Sequence, residues 1–314
     1  MEARAPQALT RIYTHPACLS HDTGPGHAER AERLVAVLEA LRAAFPQLQP
    51  EVAPRASRGQ LLRVHAQRLL EEVLESRPST RVALDPDTVL SPDSAEAALR
   101  AAGAAVAAVD AVLAGEARRA FCAVRPPGHH ATADTAMGFC LFNNIAVAAA
   151  HALAKHGLAR VAIADFDVHH GNGTQAIFEH DPRVLFLSSH QWPLYPGTGS
   201  ADERGVGNIH NAPLPAGTGS ATFRAAWRER LLPELERFRP QLVLVSAGFD
   251  AHRRDPLAAL QLVADDYAWL TGEFVAIALR HAQGRIVSML EGGYDLEALR
   301  ECSVAHVGAL LATA

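Results

Sequence analysis

The chain has 314 residues, 49% of them hydrophobic, enough apolar material for one large α/β core or two ordinary ones and too much for a disordered chain. Its formal net charge of -5 at pH 7 gives no basic field for gripping nucleic acid, so direct nucleic-acid binding is not expected. Cys18, Cys122, Cys140 and Cys302 stand far apart without a CxxC pair, a pattern that suits reduced packing thiols in a cytoplasmic protein better than a disulfide framework.

From the amino end, residues 1–15 carry no apolar signal core, and no membrane attachment is expected. Short β-rich runs then recur at 11–13, 120–124, 160–164, 184–188, 242–245 and 285–290. Helical periodicity fills much of the space between, at 29–44, 94–114, 143–156, 221–238, 264–281 and 296–311. Such alternation predicts an α/β fold with a mainly parallel sheet flanked by helices. The helix over 94–114 is apolar mostly through alanine, so it reads as a close-packed buried helix or a weakly amphipathic surface one. Its alanine-rich part, 101–113, is broken by Gly103 and Asp110 and is too short to span a bilayer. With no repeat, low-complexity tract or linker, residues 1–314 are expected to form a single domain.

In open parallel sheets, ligands bind where strands end and helices have not begun. Four such places carry polar residues: Arg125-Pro126-Pro127-Gly128-His129-His130, the run from Asp165 to Gly173, Ser246-Ala247-Gly248-Phe249-Asp250, and Glu291-Gly292-Gly293-Tyr294. Asp167 and His169, two apart at a strand end, point to the same side and can approach one ion, with Asp250 as a third ligand from another strand. Three protein ligands without cysteine leave a position for water and substrate, as in a catalytic rather than a structural zinc site. Either residue alone would read better as a core hydrogen bond or a helix cap; the combination favours metal.

The pair His129 and His130 supplies what amide hydrolysis next requires, a base for water and an acid for the departing amine. An isolated His pair in a Pro/Gly loop would more often bond the backbone. Here Asp165 is available to orient one imidazole and Asn172 the other, which would fix tautomers and separate the two pKa values. Tyr294 follows two glycines that allow close approach to a ligand, and its phenol would stabilise an oxyanion beside the metal.

The segments RPPGHH, MGFCLFNN, DFDVHHGNGT, PGTG, SAGFDAH and LEGGY together resemble the histone deacetylase and acetylpolyamine amidohydrolase superfamily over nearly the whole chain. The residues from His21 to Leu34 are similar to that family's amino-terminal segment, and the pattern is nearest to class II deacetylases and their bacterial relatives. The resemblance implies an arginase-like three-layer α/β fold. It further implies Asp167, His169 and Asp250 as zinc ligands, His129 and His130 as the histidine pair, Tyr294 as the carbonyl-polarising residue, and Asp165 and Asn172 as their partners. A structural K+ near Asp165, Asp167, His169 and Ser188 belongs to the same pattern. Phe139 and Tyr195 match two aromatic walls of a narrow tunnel. Leu257 matches a rim position where a polyamine-specialised relative carries Glu.

The expected activity is thus a Zn2+-dependent removal of acetyl or related acyl groups from lysine side chains of proteins or peptides, or from similar amines, with acetylpolyamines and other small acyl-amides as the alternative. Ala28 and Ala31 stand where the family has proline, which touches the entry segment and not the chemistry. An arginase-like two-metal site would need further Asp and His ligands, and only Asp250-Ala251-His252 offers one. A non-catalytic acetyl-lysine binder would be expected to have lost a ligand or Tyr294. Neither a GxSxG elbow nor an HExxH helix is present. A homo-oligomer is compatible with the sequence and not required by it.

Overall fold

A computed structural model describes residues 10–312 of the chain, so the reading of residues 1–15 falls partly outside the described residues. The strands are β1 (Thr10–Thr14), β2 (Glu51–Val52), β3 (Val82–Ala83), β4 (Val89–Leu90), β5 (Arg119–Cys122), β6 (Val161–Asp165), β7 (Val184–Gln191), β8 (Ile209–Leu214), β9 (Leu242–Ala247) and β10 (Ile286–Leu290). Eight of them form one sheet in the order β2-β1-β5-β10-β9-β6-β7-β8, with every neighbouring pair parallel; β3 and β4 make a separate antiparallel hairpin.

The central strands are buried at every position, as continuous runs such as Leu-Val-Leu-Val-Ser-Ala require when helices cover both faces of a sheet. Parallel neighbours cannot be joined by hairpins; most crossovers run through helices, and residues 192–208 carry the chain from β7 to β8 without one. The helices pack against the sheet in two groups, Ser94–Leu113 with Asn144–His156, and Ala31–Ala44 with Ala264–His281 and Leu296–Leu311. The alanine-rich helix resolves as the buried alternative. At Gly103 a side chain would run into the backbone of Pro54 and Ala56, so small residues there allow a close approach that larger ones would forbid. Among the described residues no helix is long and apolar enough to cross a membrane.

Two differences from the predicted elements have local causes. The helix expected over 221–238 is interrupted by a π-helical segment, Trp227–Leu231, just before Pro233, whose missing N–H cannot continue the α-helical ladder. β8 went unpredicted because its sequence, Ile-His-Asn-Ala-Pro-Leu, carries a proline; the strand lies at the sheet edge, where proline is tolerated.

The register positions the site. Asp165 of β6 lies level with Ser246 of β9, and Ala247 of β9 with Leu290 of β10, so the loops leaving these strands emerge side by side. From β5 the chain crosses two strand positions to β6, and β10 and β9 later fill the gap. That reversal of strand order opens the crevice into which the four polar loops project.

Candidate active site

The four central strands β5, β10, β9 and β6 bring together the loops that carry His129 and His130, Tyr294, Asp250, and Asp167 with His169. Asp167 and His169 meet through a turn rather than through strand pleat, because β6 ends at Asp165. The turn is held by Asp167 Oδ1, which accepts the His169 N–H at 2.9 Å, and by Asp165 Oδ1, which accepts the Asp167 N–H at 3.1 Å. His169 Nδ1 then lies 3.1 Å from Asp167 Oδ1 and 3.2 Å from Asp250 Oδ2. Asp250 Oδ1 accepts the Val168 N–H at 2.8 Å, and Asp167 Oδ2 accepts the Gly292 N–H at 2.8 Å.

One ligand atom from each of Asp167, His169 and Asp250 fits within 4.8 Å of the others, and all three residues are buried. Asp250 Oδ2 takes no hydrogen bond among the described residues, although it is buried and near His169. A carboxylate oxygen in that condition is costly unless a cation meets it. Without an ion, Asp167 and Asp250 outweigh burial and hold a proton on His169, raised to about 10, and a metal binding there would displace that proton. Two carboxylates, one imidazole and an orphaned oxygen make a donor set that fits a divalent metal. Gly292 is obligatory here, since a Cβ would run into both carboxylates.

The paired histidines have unlike partners. His129 Nδ1 lies 3.0 Å from Asp165 Oδ2, whereas His130 Nδ1 lies 2.8 Å from the amide oxygen of Asn172. Both acceptors lack a proton to give, so each imidazole carries its hydrogen on Nδ1 and presents Nε2 as a free lone pair when neutral. Burial works against charge on both rings. For His129 the carboxylates of Asp167 and then Asp165 prevail and raise it to about 10; for His130 burial, with His129 and His169 adding repulsion, drives it well below its ordinary value. The ring centroids are 4.0 Å apart, so the environment assigns one charge to the pair and puts it on His129.

His130, His169 and Tyr294 face a cavity of about 230 Å³ whose walls include Phe139, Tyr195, Leu194, Leu257 and Asp87. Tyr195 stands edge-on to His130 at 5.1 Å and Phe139 edge-on to Tyr294 at 5.8 Å. Leu257 lies partly exposed at the mouth. Ser188 is level with Asp165 on β7, and its hydroxyl meets His190 Nδ1 at 2.9 Å. Of the residues expected at the site, His130, Phe139, His169, Tyr195, Leu257 and Tyr294 line the cavity, and His129, Asp165, Asp167, Asn172 and Asp250 adjoin them through the contacts above.

Motif reading missed the buried framework beneath it. Arg33 donates to the carbonyls of Glu291 at 2.6 Å and Gly293 at 2.5 Å, and its guanidinium stacks 4.8 Å over the Tyr294 ring. Glu29 accepts from Arg33 at 2.9 Å and from Arg125 at 2.7 Å, tying the amino-terminal segment to the loop that carries the histidines. Glu291 accepts the Gly128 N–H at 2.7 Å and the His129 N–H at 3.2 Å. The available signal was the i, i+4 pair of Glu29 and Arg33, but such pairs usually lie on solvated helix faces.

Comparison with known proteins gives the family. A model of the histone deacetylase domain matches residues 27–310. The histone deacetylase-like amidohydrolase of Pseudomonas aeruginosa is 42% identical, over 95% of this chain and 85% of its own. The human polyamine deacetylase HDAC10 is 40% identical over 90% of this chain, which spans 44% of that protein. The crystal structure of the HDA15 HD domain superposes with a TM-score of 0.92 at 35% identity, covering 98% of this chain and 89% of that one. The chain belongs to the histone deacetylase family.

Proposed function

We propose that the chain is a single catalytic unit that hydrolyses acetylated amines, with acetyl-lysine side chains of proteins or peptides as the leading substrate class, and that it uses zinc. The observation that carries the proposal is the unpartnered Asp250 oxygen beside Asp167 and His169, at the base of a cavity that His130 and Tyr294 also face. Asp167, His169 and Asp250 would hold the ion, which when bound supplies Lewis acidity toward water and the acyl oxygen. A structural K+ near Asp165, Asp167, His169 and Ser188 belongs to the same reading.

The protein groups divide the remaining work. Tyr294 donates its phenolic hydrogen to the acyl oxygen, an interaction that strengthens as negative charge grows there. His129 is paired through Nδ1 with the Asp165 carboxylate at 3.0 Å, which orients the ring and supports positive charge on it beside the developing anion. His130, neutral with Nε2 free, takes the proton of the attacking water and returns it to the amine nitrogen as the carbon–nitrogen bond breaks. The Asn172 amide holds the His130 ring in the required tautomer without adding charge. Acetic acid and the amine are the immediate products, and proton transfer between them leaves acetate and the ammonium form.

The cavity walled in part by Phe139 and Tyr195 offers apolar surface to a methylene chain, and apolar Leu257 offers a second ammonium no attraction. The carboxylate of Asp87 lines the same cavity and favours a second reading, an acetylated polyamine, consistent with the likeness to the human polyamine deacetylase. Competition between an acetyl-lysine peptide and acetylspermidine in one assay decides the point. A higher kcat/KM on the peptide supports the leading class; a higher value on the polyamine replaces it. The four buried free thiols support a reducing, cytoplasmic setting.

A further inference from the structure

The loop that presents Tyr294 is anchored ahead of the tyrosine, where Arg33 holds the Glu291 and Gly293 carbonyls and Asp167 accepts the Gly292 N–H. The residue before it, Gly293, has φ +119°, a conformation that glycine adopts without strain, and the Tyr294 ring meets the Arg33 guanidinium at 4.8 Å and the Phe139 ring at 5.8 Å. The Tyr294 backbone N–H points the other way, to a buried carboxylate in the loop after β9. Asp255 Oδ2 accepts that N–H at 2.8 Å, while Asp255 Oδ1 accepts the N–H of Leu257 at 2.9 Å. The Asp255 N–H in turn donates to the His252 carbonyl at 2.8 Å, so the aspartate is itself held in place. One side chain, 7% exposed, thus ties the phenol's backbone to the apolar residue at the mouth of the cavity.

We infer that Asp255 is a positioning residue for Tyr294, clamping the tyrosine loop to the Leu257 rim so that the phenol stands at the acyl oxygen and the rim holds its distance from it. The inference rests on the reading of Tyr294 as the carbonyl-polarising group. Both acceptor oxygens are needed: in Asp255→Asn, whichever way the amide turns, one of the two N–H groups faces an NH2. A phenol shifted by a fraction of an ångström loses the alignment on which its effect depends.

The test is a double-mutant cycle with Asp255→Asn and Tyr294→Phe, following kcat and KM on an acetyl-lysine peptide, bound metal, and thermal unfolding. Asp255→Asn is expected to lower kcat by about 10- to 100-fold with metal content unchanged. In the Tyr294→Phe background it is expected to lower kcat no further, because the group it positions has gone. A general structural role would act equally in both backgrounds, so an additive loss overturns the inference, as does an unchanged kcat or a loss of metal in Asp255→Asn. Full turnover in Tyr294→Phe alone overturns the role of the phenol, and this inference with it. If Asp255→Asn does not fold, Asp255→Glu, which keeps both acceptors on a longer arm, goes through the same cycle with the same criteria.

Discussion

Of the clusters that set imidazoles against carboxylates at contact distance, the one in the crevice and the one on the Asp110 helix face differ in nearly everything else. In the crevice, Asp167, His169 and Asp250 are buried, two carboxylates share one imidazole, and one carboxylate oxygen has no hydrogen bond. On the helices Ser94–Leu113 and Asn144–His156, Asp110 Oδ1 meets His151 Nε2 at 2.8 Å and His156 Nε2 at 2.7 Å, but Asp110 is half exposed. Arg63 lies 2.9 Å from His151 Nδ1, so that nitrogen accepts, Nε2 carries the hydrogen, and the cluster closes on itself. Residue types and spacing alone would make both clusters metal sites. What separates them is an unsatisfied oxygen, a surplus of negative charge and burial; the surface cluster has water to satisfy it and a cation already beside it.

The largest effect should come from breaking the buried cluster. Asp250→Ala is expected to lose the metal and to lower deacetylation on the order of 10³-fold or more, measured as metal content and turnover of the same preparation. Retention of both would remove the site from the chemistry. His130→Ala should cost on the order of 10²- to 10⁴-fold in kcat while metal content stays near that of the unmodified chain, which separates proton transfer from metal binding.

Stability under acid sharpens the contrast between buried and exposed charge. Burial raises the Glu29 carboxyl, but Arg125 and Arg33 outweigh it and hold it down to about 2, from an ordinary 4.5. A depressed folded value means that this stabilisation is full above about 4.5 and is lost as pH falls towards 2. Its size is on the order of 3 kcal/mol, and Glu29→Gln should flatten the stability profile in that window in chemical denaturation. An unchanged profile would show that the Glu29 pairs contribute nothing net. The smallest effect is expected from Asp110→Asn, roughly 0–1 kcal/mol of stability and no change in turnover. A drop in activity there would erase the distinction between the clusters.

The fold class was legible because apolar β runs alternate with helical periods, and because the sheet is buried on both faces its strands read as continuous runs. The helix at 94–114 could be placed but its burial could not, since alanine fits a tight interface and a bland surface equally well; the backbone of Pro54 against Gly103 decides it. The ligand, histidine and tyrosine positions were legible because their loops follow predicted strands, where parallel sheets expose their loops, whereas Phe139, Tyr195, Leu257 and Ser188 came only from the family resemblance. Illegible were groups whose significance lies in distant partners. Glu29 reaches Arg125, Arg33 reaches the carbonyls of Glu291 and Gly293, and Asp255 reaches the Tyr294 N–H, contacts spanning 96, 258, 260 and 39 positions in sequence. A charged residue in a loop or on a helix reads as solvated until the fold brings its partner.

The most direct test of the central claim is acetate release from an acetyl-lysine peptide by the purified chain before chelation, after chelation and after return of stoichiometric zinc. Turnover that disappears with the metal and returns with zinc, while His130→Ala carrying the same zinc stays slow, is the predicted result. Full turnover by the metal-free chain would contradict the metal's role, and no turnover of either peptide or acetylspermidine by the zinc-loaded chain would contradict deacetylation.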